Sequence, residues 1–245
     1  MPDARLDQAS GLRRLFTRGG LRMLGVAGDG GTGVTLDLAA ALTGLGHRVL
    51  VLDRTSGEAA IALGLKARYE LAHVLDGARP LATVLLEGPE GIGVLPASRG
   101  LERVAALSGD WRERLGLLLS PLAEPYSVWL VNGLPPAGGV DAAVLLVATP
   151  TPNAITATYA QIKALARAPK RPHFRIVIDR AKSESAALTA YTNVADAARR
   201  FLSARLDYGG HLPGEHAPRG HAIARLAEMV IAGLPVDPPR QAAFG

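Results

Sequence analysis

A short apolar run, Leu21–Ala27, passes directly into Gly28-Asp29-Gly30-Gly31-Thr32-Gly33-Val34-Thr35. Leu36–Leu45 follows, with its apolar residues on one helical face. A strand that turns into a helix through so many glycines commits the chain to a β-turn-α unit. The glycines let backbone N–H groups converge, and the helix N-terminus adds partial positive charge. Two readings of this loop stand on the residues alone: a phosphate-binding loop, or a tight βα turn with Thr35 as a helix cap.

The remainder of the chain repeats the pattern. Arg48–Leu52, Gly91–Pro96, Tyr126–Val131, Ala142–Ala148, Phe174–Ile178 and Leu206–Tyr208 read as strands. Asn153–Arg167, Glu184–Ala204 and His221–Ala232 have helical period. Runs of Val, Ile and Leu without alternation indicate strands covered on both faces. Strands alternating with helices predict an α/β fold, a doubly wound and mainly parallel sheet with right-handed crossovers. At 245 residues one domain is expected, over 21–234, with a flexible leading segment 1–20 and a tail 235–245.

Composition narrows the function classes. Hydrophobic residues at 48% and charged residues at 20% exclude a disordered or fibrous chain. The absence of cysteine removes disulfides, thiolate metal sites and cysteine nucleophiles. Of 27 basic side chains four are lysine (Lys66, Lys163, Lys170 and Lys182), and the net charge is +5. With aromatics at 4% there are too few rings for a base-stacking platform, so nucleic acid is not an expected partner. No run approaches the ~20 apolar residues of a membrane span, and the start of the chain has no apolar signal core. The expectation is a cytoplasmic protein.

Leu6, Ala9, Leu12 and Phe16 form one apolar stripe near the start, interrupted by Gly11. A segment so short is marginal as an isolated helix, which suits an arm that folds against a partner.

These residues resemble the MinD/ParA group of deviant P-loop ATPases, whose loop reads K-G-G-x-G-K-T and whose second strand is followed by D-x-D-x-G. Here that second stretch is Asp53-Arg54-Thr55-Ser56-Gly57. More narrowly, the chain is similar to the flagellar-number regulators FlhG/FleN. The likeness lies in Asp7-Gln8-Ala9-x-x-Leu12-Arg13, in Tyr69-Glu70-Leu71-Ala72-His73-Val74-Leu75, and in Thr149-Pro150-Thr151-Pro152-Asn153-Ala154-Ile155-Thr156. The fold this implies is that of a P-loop NTPase. ATP and Mg²⁺ are the family's cofactors. The implied partners are an FlhF-type signal-recognition-like GTPase and flagellar basal-body or regulatory proteins. By this resemblance Asp7, Gln8, Leu12 and Arg13 contact the GTPase, with Gln8 reaching toward its catalytic centre.

The departures from the family pattern fall on its chemistry. Asp29 stands for the signature Lys, Val34 for the P-loop Lys, Thr55 for the second Asp, and Asn132 for the Walker-B Asp. Asp179 precedes Arg180 where relatives place an adenine-contacting Asn. Gly30, Gly31, Gly33, Thr35 and Asp53 keep the loop's remnant, Thr35 being the family's Mg²⁺-ligating hydroxyl. Exchanging two lysines for Asp29 and Val34 changes the local charge from +2 to −1. A like charge about 4 Å from a phosphate costs about 4 kcal/mol at an effective dielectric of 20. The expectation is a pseudo-ATPase with no catalytic residue, no metal and no bound cofactor, either a monomer or a dimer independent of ATP. An active ATPase with substitute residues and a ParA-like DNA-associated protein are the alternatives.

Other features carry plainer readings. His211, His216 and His221 lie five apart, a poor metal spacing, and the family likeness puts them on a loop by the old pocket. Arg5, Arg13, Arg14, Arg18 and Arg22 read as a solvated arm suited to an acidic partner. Ser183 reads as a helix N-cap. The Pro-rich tail is too short for a surface-lying helix, so membrane recruitment is not expected.

Overall fold

A computed structural model describes residues 22–106, 118–122, 125–134, 143–166, 173–214 and 218–233. The segment carrying Asp7, Gln8, Leu12 and Arg13, together with His216 and the tail 235–245, lies outside the described residues. In chain order the elements are β1 (Arg22–Gly28), α1 (Gly31–Gly44), β2 (Val49–Asp53), α2 (Glu58–Ala62), α3 (Leu71–Leu75), α4 (Leu81–Val84), β3 (Leu86–Glu87) and β4 (Gly93–Pro96). There follow α5 (Ser98–Ala106), β5 (Val128–Asn132), β6 (Ala143–Ala148), α6 (Pro152–Ala166), β7 (His173–Asp179), α7 (Glu184–Leu202), β8 (Leu206–Leu212) and α8 (Gly220–Gly233).

The sheet order is β3-β4-β2-β5-β1-β6-β7-β8, parallel throughout except for the pairing of β3 with β4. The doubly wound expectation holds. From β1 the chain winds first to one side, then returns through β5 and fills the other side from β6 onward. β1 therefore lies at the point where strand order reverses, the place such sheets reserve for ligands.

Successive residues of the central strands face opposite layers. Val26, Val51, Leu130, Leu145 and Val147 join Val34, Leu38 and Leu42 of α1 and Leu226 and Val230 of α8 in one core. On the other face Leu50, Leu52, Trp129 and Val131 pack with Leu71 and Leu101, and Leu146, Ile176 and Ile178 pack with Ile162 and Val194. Leu38 and Leu42 are wholly buried. Each such leucine contributes on the order of 2–3 kcal/mol through area removed from water.

Three readings of the sequence are corrected. α1 begins at Gly31 rather than Leu36, because Gly31, Val34 and Thr35 are buried against the sheet and packing overrides the poor propensity of glycine. Thr35 is thus an interior residue, and the N-cap is Gly30 at φ 81°. β8 continues through His211 to Leu212, so His211 sits in a strand rather than a loop, past a register shift opposite Ile176 and Ile178. β3, at two residues, is too short for a periodic signal. Ser183 does cap α7, its Oγ accepting from Ala186 N–H at 3.2 Å.

Candidate functional site

β1, β2 and β5 deliver their C-terminal residues to one side of the glycine loop. Gly28 is held at φ 123°, and a Cβ there would collide with the Val147 carbonyl oxygen, so the turn requires glycine. The chain then bends through Asp29 and left-handed Gly30 into α1.

Beneath the loop lies a closed hydrogen-bond network. Asp53, fully buried at the end of β2, accepts four hydrogen bonds: from Thr55 N–H at 3.1 Å, Thr55 Oγ1 at 2.5 Å, Asn132 Nδ2 at 3.0 Å and Ala59 N–H at 3.1 Å. The Asn132 amide turns its NH₂ toward Asp53 and its oxygen toward Thr35. The same Nδ2 reaches Thr32 Oγ1 at 3.2 Å. Thr35 shares its hydroxyl proton between Gly31 O at 2.8 Å and Asn132 Oδ1 at 3.2 Å. Thr32 in turn donates to Glu58 Oε2 at 2.6 Å.

A cleft of about 250 Å³ opens above this floor. It is lined by Val26, Ala27, Gly28, Gly30, Gly31, Thr32, Thr55, Glu58, Asn132 and Gly133. Glu58 is the one charged side chain among them, and among the described residues no basic one lines the cleft. Val34 is fully buried in the core instead. Arg54 turns away, its guanidinium donating to the Leu134 carbonyl. Burial holds Arg54 below its ordinary value, with Glu102 pulling the other way.

The opposite rim is built from ion pairs. Asp29 is half exposed and accepts from Thr149 Oγ1 at 2.7 Å and from Arg180 Nη2 at 3.4 Å. Arg180 adopts φ 58°, and its Nε lies 3.4 Å from Asp179 Oδ2. Asp179 Oδ1 is 3.0 Å from Arg219 Nη2, which also stands 3.4 Å from Asp37 of α1. Close as these groups are, Asp179 Oδ1 and Arg219 Nε and Nη2 are buried without a well-directed hydrogen bond. Burial raises the carboxyl pKa of both Asp179 and Asp37, against the lowering effect of Arg219.

The structure therefore brings together Asp29, Gly30, Gly31, Thr35, Asp53, Thr55, Asn132 and Asp179 around one loop; Gly33 faces solvent with no neighbour near its Cβ position, and Val34 faces the core. Sequence reasoning missed Thr32, Glu58, Asp37 and Arg219. Only the place of Glu58, one residue beyond Gly57, offered a signal. Among the described residues no group of three or more His, Asp or Glu side chains is arranged to hold a metal. Among them too, no helix is long and apolar enough to cross a membrane.

No family model matches the chain. The antiactivator FleN of Pseudomonas aeruginosa is 34% identical over 204 residues, covering 80% of this chain and 73% of that protein. This chain belongs to the FleN family. The flagellum site-determining protein YlxH of Helicobacter pylori is 28% identical over 148 residues, 57% of this chain and half of that protein (50%). Among solved structures, the MinD cell division protein of Aquifex aeolicus superposes with a TM-score of 0.62 at 23% identity, over 87% of this chain and 98% of that one. The agreement with MinD establishes the P-loop NTPase fold of this FleN-like chain, with its glycine loop at the reversal of the sheet.

Proposed function

We propose that this chain regulates flagellar number or placement through protein contacts, on a P-loop that no longer runs an ATP cycle. Its likeness to FleN and YlxH supports the flagellar role. The observation that carries the second half is the cleft itself, lined among the described residues by one carboxylate and no cation. A triphosphate with its metal needs positive charge at the β- and γ-phosphates and free carboxylate oxygens for the metal. Here the Asp53 oxygens are engaged by four donors and Asn132 supplies a neutral amide. The residues present do not fit Mg·ATP, and no catalytic step is derived through it.

On this reading the chain stays in one conformation without nucleotide, as a cytoplasmic monomer or ATP-independent dimer. Its leading segment, with Asp7, Gln8, Leu12 and Arg13, stimulates an FlhF-type GTPase. Calorimetric titration with Mg·ATP and ADP tests the cleft: absence of heat is expected, and micromolar binding overturns the reading. Stimulation of the GTPase, lost on Gln8→Ala, tests the segment; unchanged stimulation overturns that role.

A second reading has one observation in its favour. A Cβ on Gly30 would lie 3.6 Å from Arg180 Nη2, so a guanidinium does stand beside the loop. An ATPase using Arg180 as its cation would release phosphate above background and lose that activity in Arg180→Ala.

A further inference from the structure

We propose that the groove between α3 and α5 docks an acidic peptide segment of a partner protein, with the guanidiniums of Arg99 and Arg103 receiving its carboxylates. The proposal rests on the reading above that the chain acts through protein contacts, and it uses no part of the glycine loop.

The groove holds about 330 Å³ and is lined by Ala72, His73, Asp76, Arg99 and Arg103. Its two helices close on one another at Gly100, where a Cβ would come within 2.5 Å of the Leu71 Cβ. Glu70 fastens the same crossing. Its Oε2 accepts from Arg99 N–H at 3.1 Å and Gly100 N–H at 3.3 Å, and its Oε1 from Arg99 Nε at 3.1 Å. Asp76 holds Arg103 in the same way, both of its oxygens accepting from Nη1, at 2.8 and 2.9 Å. Each guanidinium is thus oriented through one nitrogen, and its other nitrogens meet no acceptor among the described residues. Arg99 and Arg103 stand one turn apart on one face of α5.

Charge and surroundings select the ligand. Arg68, Arg79, Arg99 and Arg103 stand against Glu70, whose side chain is only 13% exposed, and Asp76. Glu102 of α5 acts on Arg54 instead. Arg79 lies over the Tyr69 ring at 4.7 Å and donates to its hydroxyl at 3.3 Å. That hydrogen bond and charge, joined by the charge of Arg68, hold the phenol below its ordinary value. Tyr69 meets His73 edge-on, with ring centroids 5.5 Å apart, and Leu75 is exposed next to Asp76. Positive charge drawn out along a helix, with an aromatic and an aliphatic side chain near it, suits a peptide bearing acidic and apolar side chains more than a compact anion.

The test is fluorescence anisotropy at low salt with a labelled octapeptide that alternates glutamate and leucine. Its control is the same peptide with glutamine for glutamate. The glutamate peptide should bind the wild type at least about tenfold more tightly than the control, and weaken about tenfold in Arg99→Gln/Arg103→Gln. It should weaken less than about twofold in Arg199→Gln/Arg200→Gln, which removes the same charge from α7. Arg99 and Arg103 are more than half exposed, so the variant should fold, which circular dichroism checks. Equal binding of the two peptides, equal losses in the two variants, or unchanged affinity in Arg99→Gln/Arg103→Gln would overturn the proposal. So would displacement by inorganic phosphate beyond that by chloride at equal ionic strength, which would make the groove a small-anion site. Heat on titration with Mg·ATP would sink the reading of the cleft and leave the groove standing.

Discussion

The floor and the rim of the glycine loop manage negative charge in different ways. On the floor one carboxylate, Asp53, is surrounded by neutral donors, each within hydrogen-bond distance. On the rim three carboxylates, Asp29, Asp37 and Asp179, share two guanidiniums, and the buried atoms of Asp179 and Arg219 lack directed hydrogen bonds. A buried charge with directed donors is at rest, whereas one matched only by proximity keeps much of its desolvation cost. The floor should therefore tolerate no added charge, and the rim should respond to pH.

The strongest way to break this comparison is Asn132→Asp. It would set a second carboxylate about 3 Å from Asp53 with no cation of the described residues between them, a repulsion of about 4–6 kcal/mol at an effective dielectric of 20. Urea melts at neutral pH should show that loss. It should shrink toward pH 4, because the pair gains stability by taking up a proton. An equal loss at both pH values would show that the floor is not electrostatically closed.

Arg219→Met comes next. It leaves Asp179 and Asp37 facing one another without their shared cation, and should cost about 2–3 kcal/mol at pH 7.5 by the same measurement. A neutral result would mean that the rim's ion pairs contribute nothing to the fold.

Asp179→Asn sharpens the contrast through pH. The folded state raises the carboxyl of Asp179, by burial first, above its ordinary 3.8. The folded protein then binds more protons than the unfolded chain, so stability falls as pH climbs from that ordinary value through the raised one. The asparagine variant has no such proton, and should gain on wild type between pH 4 and pH 7.5. A difference independent of pH would contradict the assignment.

The smallest effect is expected at the exposed edge. Asp29→Lys, which restores the family's cation, loses the Thr149 contact and a half-exposed ion pair; the change in stability should stay below about 1 kcal/mol. It should not bring back ATP hydrolysis, because Val34 and Asn132 are unchanged. Phosphate release checks this.

The site was legible in part. Asp29, Val34, Thr55 and Asn132 stood out because a known loop pattern gave each a place to depart from. Glu58, Asp37 and Arg219 had no such pattern. Arg219 and Asp37 lie far apart in the chain, and only the docking of α8 on α1 makes them neighbours. The continuation of β8 through His211 was hidden because its burial alternates irregularly past a shift in register.

By itself the sequence determined the layered α/β architecture, since unbroken Val, Ile and Leu runs can be covered only by helices on both faces. It also determined that the loop carries Asp29 and Val34 and no lysine, because residue identity is sequence. The tertiary structure decided what the residues around that loop contact. Whether Asn132 closes on Asp53, whether Arg54 turns toward the cleft or away from it, and which carboxylate meets the Thr32 hydroxyl depend on distances of about 3 Å. The chain meets such distances only when strands remote in sequence are brought side by side.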